Sequence, residues 1–220
     1  MLDAASSTTP AKAGDLPSVE AASPVAPPPL ALRRTVTLVG LMGAGKSAVG
    51  RRLAKTLEAE FADADELIVA AAGMSIPDIF EKYGEPAFRD LERRVIARVL
   101  EGPPLVLALG GGAFVDPQTR AQVKERTRSI WLRADLDTLV SRTMRKKGTR
   151  PLLAQGDPRA VLAELMQRRY PIYAEADLAV DSDEQPAETV VERIAALLRA
   201  EAAAADAAGD APAGKAEMRS

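Results

Sequence analysis

Short apolar runs alternate with longer amphipathic stretches from about residue 33 to residue 200, a rhythm that predicts βα units and a parallel sheet with helices on both faces. The runs Thr35–Val39, Leu105–Leu109 and Ser129–Leu132 read as buried strands, with a shorter one at Leu178–Val180. Phe61-Ala62-Asp63-Ala64-Asp65 is expected to be another strand, ending in acids. Helix starts carry their own marks: Ser75 with Asp78 three residues on, Asp116 before Pro117, Asp135 before a leucine-rich run, and Asp157 before Pro158. A further helix opens at Glu85-Pro86. No internal repeat is visible. In open sheets of this kind ligands bind beyond the carboxyl ends of the strands, so the residues that follow each strand are the candidates for function.

The first strand is followed by Gly40-Leu41-Met42-Gly43-Ala44-Gly45-Lys46-Ser47, which matches G-x-x-x-x-G-K-[ST] in the strand–loop–helix setting the motif needs. Glycines at 40, 43 and 45 let the backbone turn tightly and bring its N–H groups against phosphate oxygens. The helix that starts near Lys46 adds its positive end, Lys46 reaches for the β- and γ-phosphates, and the Ser47 hydroxyl suits Mg²⁺. The stretch is read as a cradle for a nucleoside triphosphate.

Four other groups are candidates, the first two of them where the sheet would present them. Asp63 and Asp65 follow the second strand; at i and i+2 on an extended strand end they would project to one side, one toward Mg²⁺ and one toward a second substrate, although a solvated turn or a helix cap also fits them. Gly110-Gly111-Gly112 follows the third, and permits close backbone approach to a ligand, or a plain turn. Arg89, in the first turn of its helix, has the wrong sign for the helix dipole and is expected to act outside the helix, unless Glu85 or Glu92 simply pairs with it. Finally, Arg142 to Leu153 is basic, contains Gly148 and ends at Pro151-Leu152-Leu153. It has the character of a mobile lid over an anion, with a basic solvated loop or a nucleic-acid contact as the competing readings.

Composition narrows the chemistry. The chain has 220 residues and neither cysteine nor histidine, so thiolate nucleophiles, disulfides and imidazole bases are excluded and any catalysis falls to carboxylates, lysines and arginines. Phosphoryl transfer runs on that set. A net charge of −2 gives no general attraction to nucleic acid or to a membrane surface. No apolar run approaches the ~18 residues that span a bilayer, and the start lacks a basic n-region followed by an apolar one, so the chain is expected to be cytoplasmic. Residues 1–32, rich in Ala and Pro, and the Ala-rich residues 201–220, where a helix is expected to fray, read as disordered tails flanking a single domain at 33–200.

Taken together, these residues resemble the shikimate kinase family. The resemblance rests on Gly40 to Ser47, Asp63-Ala64-Asp65, Phe88-Arg89 with Glu92, Leu109-Gly110-Gly111-Gly112, Arg150-Pro151-Leu152-Leu153 and Arg169-Tyr170-Pro171-Ile172-Tyr173, in order and spacing, across residues 35–197. It implies a P-loop kinase fold, α/β, with a parallel β-sheet flanked by helices on both faces and a mobile lid over residues 143–154. It implies ATP-dependent phosphorylation of the 3-hydroxyl of shikimate in the route to chorismate and the aromatic amino acids, with Mg²⁺ as cofactor and a monomeric enzyme. By the same resemblance Gly43, Ala44, Gly45, Lys46, Ser47 and Ala48 bind ATP, and Ser47 and Asp63 serve the metal. Asp65, Arg89, Gly111 and Arg169 match the shikimate contacts, and Lys46, Asp65 and Arg150 the catalytic groups. Arg150 matches the lid arginine that reaches the phosphates, and Arg142 the arginine on adenine, a role that Arg145 could take instead. An arginine fork grips a carboxylate through two parallel hydrogen bonds, which gives a reason for the distant pair Arg89 and Arg169. A gluconate kinase-like enzyme, or a silent nucleotide-gated module, are the alternatives.

Overall fold

The computed structural model describes residues 32–145, 157–183 and 185–207. Five strands, β1 (Thr35–Val39), β2 (Phe61–Asp63), β3 (Val106–Ala108), β4 (Thr127–Arg133) and β5 (Leu178–Asp181), form one sheet in the order β2-β3-β1-β4-β5. Every strand pairing is parallel. All five residues of β1 and all three of β3 are buried, so these central strands are covered on both faces, as continuous apolar runs in a parallel sheet demand.

The helices are α1 (Lys46–Thr56), α2 (Ala64–Ala72), α3 (Ile76–Leu100), α4 (Pro117–Arg126), α5 (Leu136–Arg145), α6 (Pro158–Tyr173) and α7 (Ala187–Ala207). Their starts follow the polar residues that marked them. Ser75, Asp116 and Asp157 each accept a hydrogen bond from a backbone N–H of the first turn of α3, α4 and α6, and Asp135 accepts from the N–H of Thr138 at the start of α5. Within α3 the helix breaks at Gly84 (φ 78°, ψ 171°) and restarts at Glu85-Pro86, where the proline lacks a donor for the preceding turn. The break leaves a small apolar cluster of Ile68, Ile79 and Phe88, separate from the main core that packs on the sheet.

Register levels the working ends of three strands. Leu38 and Asp63 both stand opposite Ala108, so the chain leaves β1 at Gly40, β2 at Asp63 and β3 at Gly110 along a single rim.

The structure corrects three expectations. β2 ends at Asp63, and Asp65 lies in the first turn of α2 rather than on an extended strand end, because the Asp63 carboxylate accepts from the Asp65 N–H at 3.1 Å and starts the helix there. The expected lid at 143–154 overlaps α5, which is helical through Arg145 and buries Thr143; the remainder of that segment, with Arg150, lies outside the described residues. At the other end α7 runs to Ala207, beyond the boundary set at 200, since alanine is the best helix former and Glu201 and Asp206 pair with Arg128 and Arg33.

Candidate active site

The loop between β1 and α1 is built to receive an anion. Gly45 caps α1 in the left-handed region (φ 92°, ψ 11°). Unlike α2, α3, α4 and α6, α1 has no side-chain cap, and its first turn holds no acid, so its terminal N–H groups keep their positive end for a ligand. Gly43 (φ 86°) is pressed against α5: a Cβ there would lie 2.7 Å from Thr143 Oγ1 and 3.0 Å from the Leu139 carbonyl. Lys46 Nζ donates to the carbonyls of Gly40 at 2.8 Å and Leu41 at 3.1 Å, and the buried Ser182 hydroxyl donates to the Ala44 carbonyl at 3.0 Å. The loop is therefore held in shape by its own lysine and by the exit of β5.

The Ser47 hydroxyl donates to Asp63 Oδ2 at 2.6 Å, while Asp63 Oδ1 caps α2. One carboxylate thus starts a helix, as one of its sequence readings had it, and also faces the serine of the phosphate loop. Among the described residues no group of three or more acids comes together as a metal cage. The pair of one hydroxyl and one carboxylate suits Mg²⁺, which keeps several waters and takes few protein ligands.

Each residue of the glycine triplet lies beside a different side chain of the candidate substrate site, and two of the three are pressed by it. A Cβ on Gly110 would stand 2.6 Å from Asp65 Oδ1 and 3.1 Å from Glu92 Oε1. On Gly112 it would stand 2.7 Å from both terminal nitrogens of Arg89. Gly111 needs no such clearance in its own right; its carbonyl accepts from Arg169 Nη1 at 2.9 Å, and a Cβ there would be 3.6 Å from the Met42 nitrogen of the phosphate loop. The triplet therefore adjoins Asp65, Arg169 and Arg89 in turn, and touches the nucleotide loop as well. Gly112→Ala should displace the Arg89 guanidinium: the KM for the acceptor substrate is expected to rise about tenfold at one side chain's misplacement, with the KM for nucleotide changed little. Steady-state kinetics with each substrate varied in turn reads the difference, and an equal change in both would detach Gly112 from Arg89's role.

Arg89 is oriented by two carboxylates. Glu92, only 2% exposed, accepts from Arg89 Nη1 at 2.6 Å, and Glu85 accepts at 3.1 Å. Burial pushes the Glu92 carboxyl above its ordinary range, with Arg89 pulling it back and Asp65 and Asp116 adding to the upward push. For Arg89, burial works against the charge, but Glu92 and Glu85 outweigh it and hold the guanidinium above its usual value. The arginine is a cation at any working pH. Glu92 sits three residues after Arg89, on the same helix face, and both it and Glu85 make the pairing that the sequence offered for this arginine.

These groups line one cleft of about 610 Å³. It contains Gly43, Ala44, Gly45, Lys46, Ser47, Ala48, Asp63, Asp65, Arg89, Gly111, Arg142 and Arg169, so the structure brings together the sequence-predicted residues it describes. Arg145 lines it too, and Arg142 is anchored by donating to the Asp183 carbonyl. Ser182 and Gln185 complete the end near these arginines and carried no motif, though they follow β5 where the sheet rule places ligands.

A family model described as shikimate kinase matches residues 42–199. The chain belongs to the shikimate kinase family. A shikimate kinase from Paramagnetospirillum magneticum is 58% identical over 75% of this chain and 85% of its own length. The shikimate kinase of Caulobacter vibrioides strain NA1000 is 54% identical over 76% of this chain and 82% of its own. Among solved structures, a shikimate kinase from Acinetobacter baumannii in complex with shikimate is 37% identical and covers 76% of this chain and 94% of its own, with a TM-score of 0.73. Shikimate kinases are thus relatives in sequence and in fold alike, and the span matched holds the glycine triplet, Arg89 and Arg169.

Proposed function

We propose that this chain transfers the γ-phosphoryl group of ATP to the 3-hydroxyl of shikimate, giving shikimate 3-phosphate and ADP. The observation that carries the reading is the glycine triplet, beside the phosphate loop, with Asp65 packed on Gly110, Arg169 hydrogen-bonded to the Gly111 carbonyl and Arg89 packed on Gly112. Two arginines suit the single carboxylate of a small ring, and Asp65 suits its hydroxyls. A solved relative at 37% identity holds shikimate, which supports the same choice.

In the reaction the substrate oxygen forms a bond to the γ-phosphorus as the bond to the bridging oxygen of ADP breaks. Asp65 accepts the hydroxyl proton. Lys46 and the N–H groups at the start of α1 receive the charge that spreads over the phosphoryl oxygens, in a step that depends chiefly on positioning and electrostatics. Ser47 and Asp63 would hold Mg²⁺, which would supply countercharge to the nucleotide phosphates. Arg142, or Arg145 in its stead, serves the adenine end. Arg150 is assigned on sequence alone to neutralise the phosphates from the lid. The cytoplasmic, monomeric enzyme expected from the sequence belongs to the same proposal; among the described residues no helix is long and apolar enough to cross a membrane.

A coupled assay for ADP, run with ATP and Mg²⁺ and with shikimate, gluconate or no acceptor, tests the reading. Release is expected only with shikimate. Release driven by gluconate, or at an equal rate without acceptor, would overturn it.

A further inference from the structure

We propose that Tyr173 is a positioning residue for the acceptor substrate, holding Arg169 and the Gly111 carbonyl in one fixed arrangement. The inference rests on the reading of Arg169 as a shikimate contact. Arg169 and Tyr173 stand four residues apart on α6, hence on one face, and converge on one acceptor. The Tyr173 hydroxyl donates to the Gly111 carbonyl, and Arg169 Nη1 donates to the same oxygen at 2.9 Å. A carbonyl oxygen offers two lone pairs, and here both are engaged by side chains of one helix.

The phenol is well suited to hold rather than to react. Tyr173 is 1% exposed, and its ring lies among Phe114, Trp131 and Tyr170 at centroid distances of 6.5, 6.2 and 6.3 Å. Burial, only partly offset by Arg169, pushes its pKa up to about 12, so the hydroxyl keeps its proton through the neutral range and remains a donor. A rigid ring that donates to Gly111 limits the angles open to the neighbouring guanidinium. The hydroxyl thereby sets where Arg169 presents its remaining N–H groups to a carboxylate, without touching that carboxylate itself.

The test is Tyr173→Phe, which keeps the ring and removes only the hydroxyl, measured alone and combined with Arg169→Ala. The KM for shikimate is expected to rise about fivefold, the size of one neutral hydrogen bond, with kcat and the KM for ATP within about twofold. In the Arg169→Ala background the same change should add nothing, because the group it positions is gone. An unchanged KM for shikimate in the single variant would overturn the proposal, and so would equal factors in both backgrounds. Loss of the folded state in Tyr173→Phe, read by circular dichroism, would overturn it as well, by making the hydroxyl a determinant of the fold. A wild-type chain that releases no ADP with shikimate would refute the proposed function instead, so the two failures are told apart.

Discussion

Lys46→Ala is expected to lower kcat by roughly 10²–10³-fold, the cost typical of removing one preorganised donor from developing charge. The lysine stands at the first position of α1, beyond Gly45, and its ammonium lies over the mouth of the loop on the carbonyls of Gly40 and Leu41. In that position it supplies a full positive charge beside the half-charge of the helix end, where the phosphoryl group passes. The fold should survive, because the buried residues that anchor α1, Val49, Gly50, Leu53 and Ala54, are left in place by the change. The loop retains the Ser182 hydrogen bond to Ala44, so nucleotide binding should weaken much less than turnover. Single-turnover measurement of ADP formation, with the melting temperature as control, checks both statements. Near-native turnover in the variant would mean that the loop binds without catalysing.

Much of this site was legible because its chemistry is written locally. The strand Thr35–Val39 and the glycine-lysine-serine loop after it can be read from the consecutive residues Thr35 to Ser47, and the structure reproduces that strand residue for residue. The caps at Ser75, Asp116 and Asp157 are local in the same sense, since a side-chain oxygen two or three residues ahead of an N–H is a matter of near neighbours. Asp63 shows where local reading divides. As an acid at a strand end it fitted a cap and a metal-side carboxylate, and only the fold, by bringing Ser47 across from another loop, shows that one oxygen caps α2 while the other accepts from the serine of the phosphate loop. The Asp65 position was misread for a related reason: two acids after an apolar pair fit strand and helix start alike until the capping bond decides. Ser182 and Tyr173 were without a role in the sequence because their partners, Ala44 and Gly111, lie 138 and 62 residues away. Hydrogen bonds to backbone carbonyls ask nothing of the partner's side chain, so no residue pattern records them. The reach of α7 to Ala207 depends likewise on Arg128 and Arg33, far off in the chain.

The two arginines proposed to hold the substrate should be separable from each other as well as from the nucleotide site. Arg89→Ala and Arg169→Ala are each expected to raise the KM for shikimate by about ten- to a hundredfold, at ~1.4 kcal/mol per tenfold, with the KM for ATP nearly unchanged. Their costs in stability should differ. Arg169 leans on a carbonyl that Tyr173 still satisfies after truncation, so little is left unpaired. Arg89 is the counter-charge of a carboxylate that is 2% exposed, and its removal leaves Glu92 buried without it. Burial already holds the Glu92 carboxyl above its ordinary range; without the arginine it rises further. An acid whose folded value lies above its unfolded value, about 4.3, is protonated more readily in the folded state, so stability falls as pH rises through that window. The deficit of Arg89→Ala against the wild type should therefore be full above the raised Glu92 value and shrink as pH falls toward the unfolded one. Adding Glu92→Gln, which removes the buried charge, should recover stability at neutral pH without recovering the KM for shikimate. Urea titrations across pH 4–8, set beside the kinetics, read both at once. A deficit that does not vary with pH would show that Arg89 supports the fold by packing rather than by charge, and equal losses for ATP in both variants would move the pair to the nucleotide.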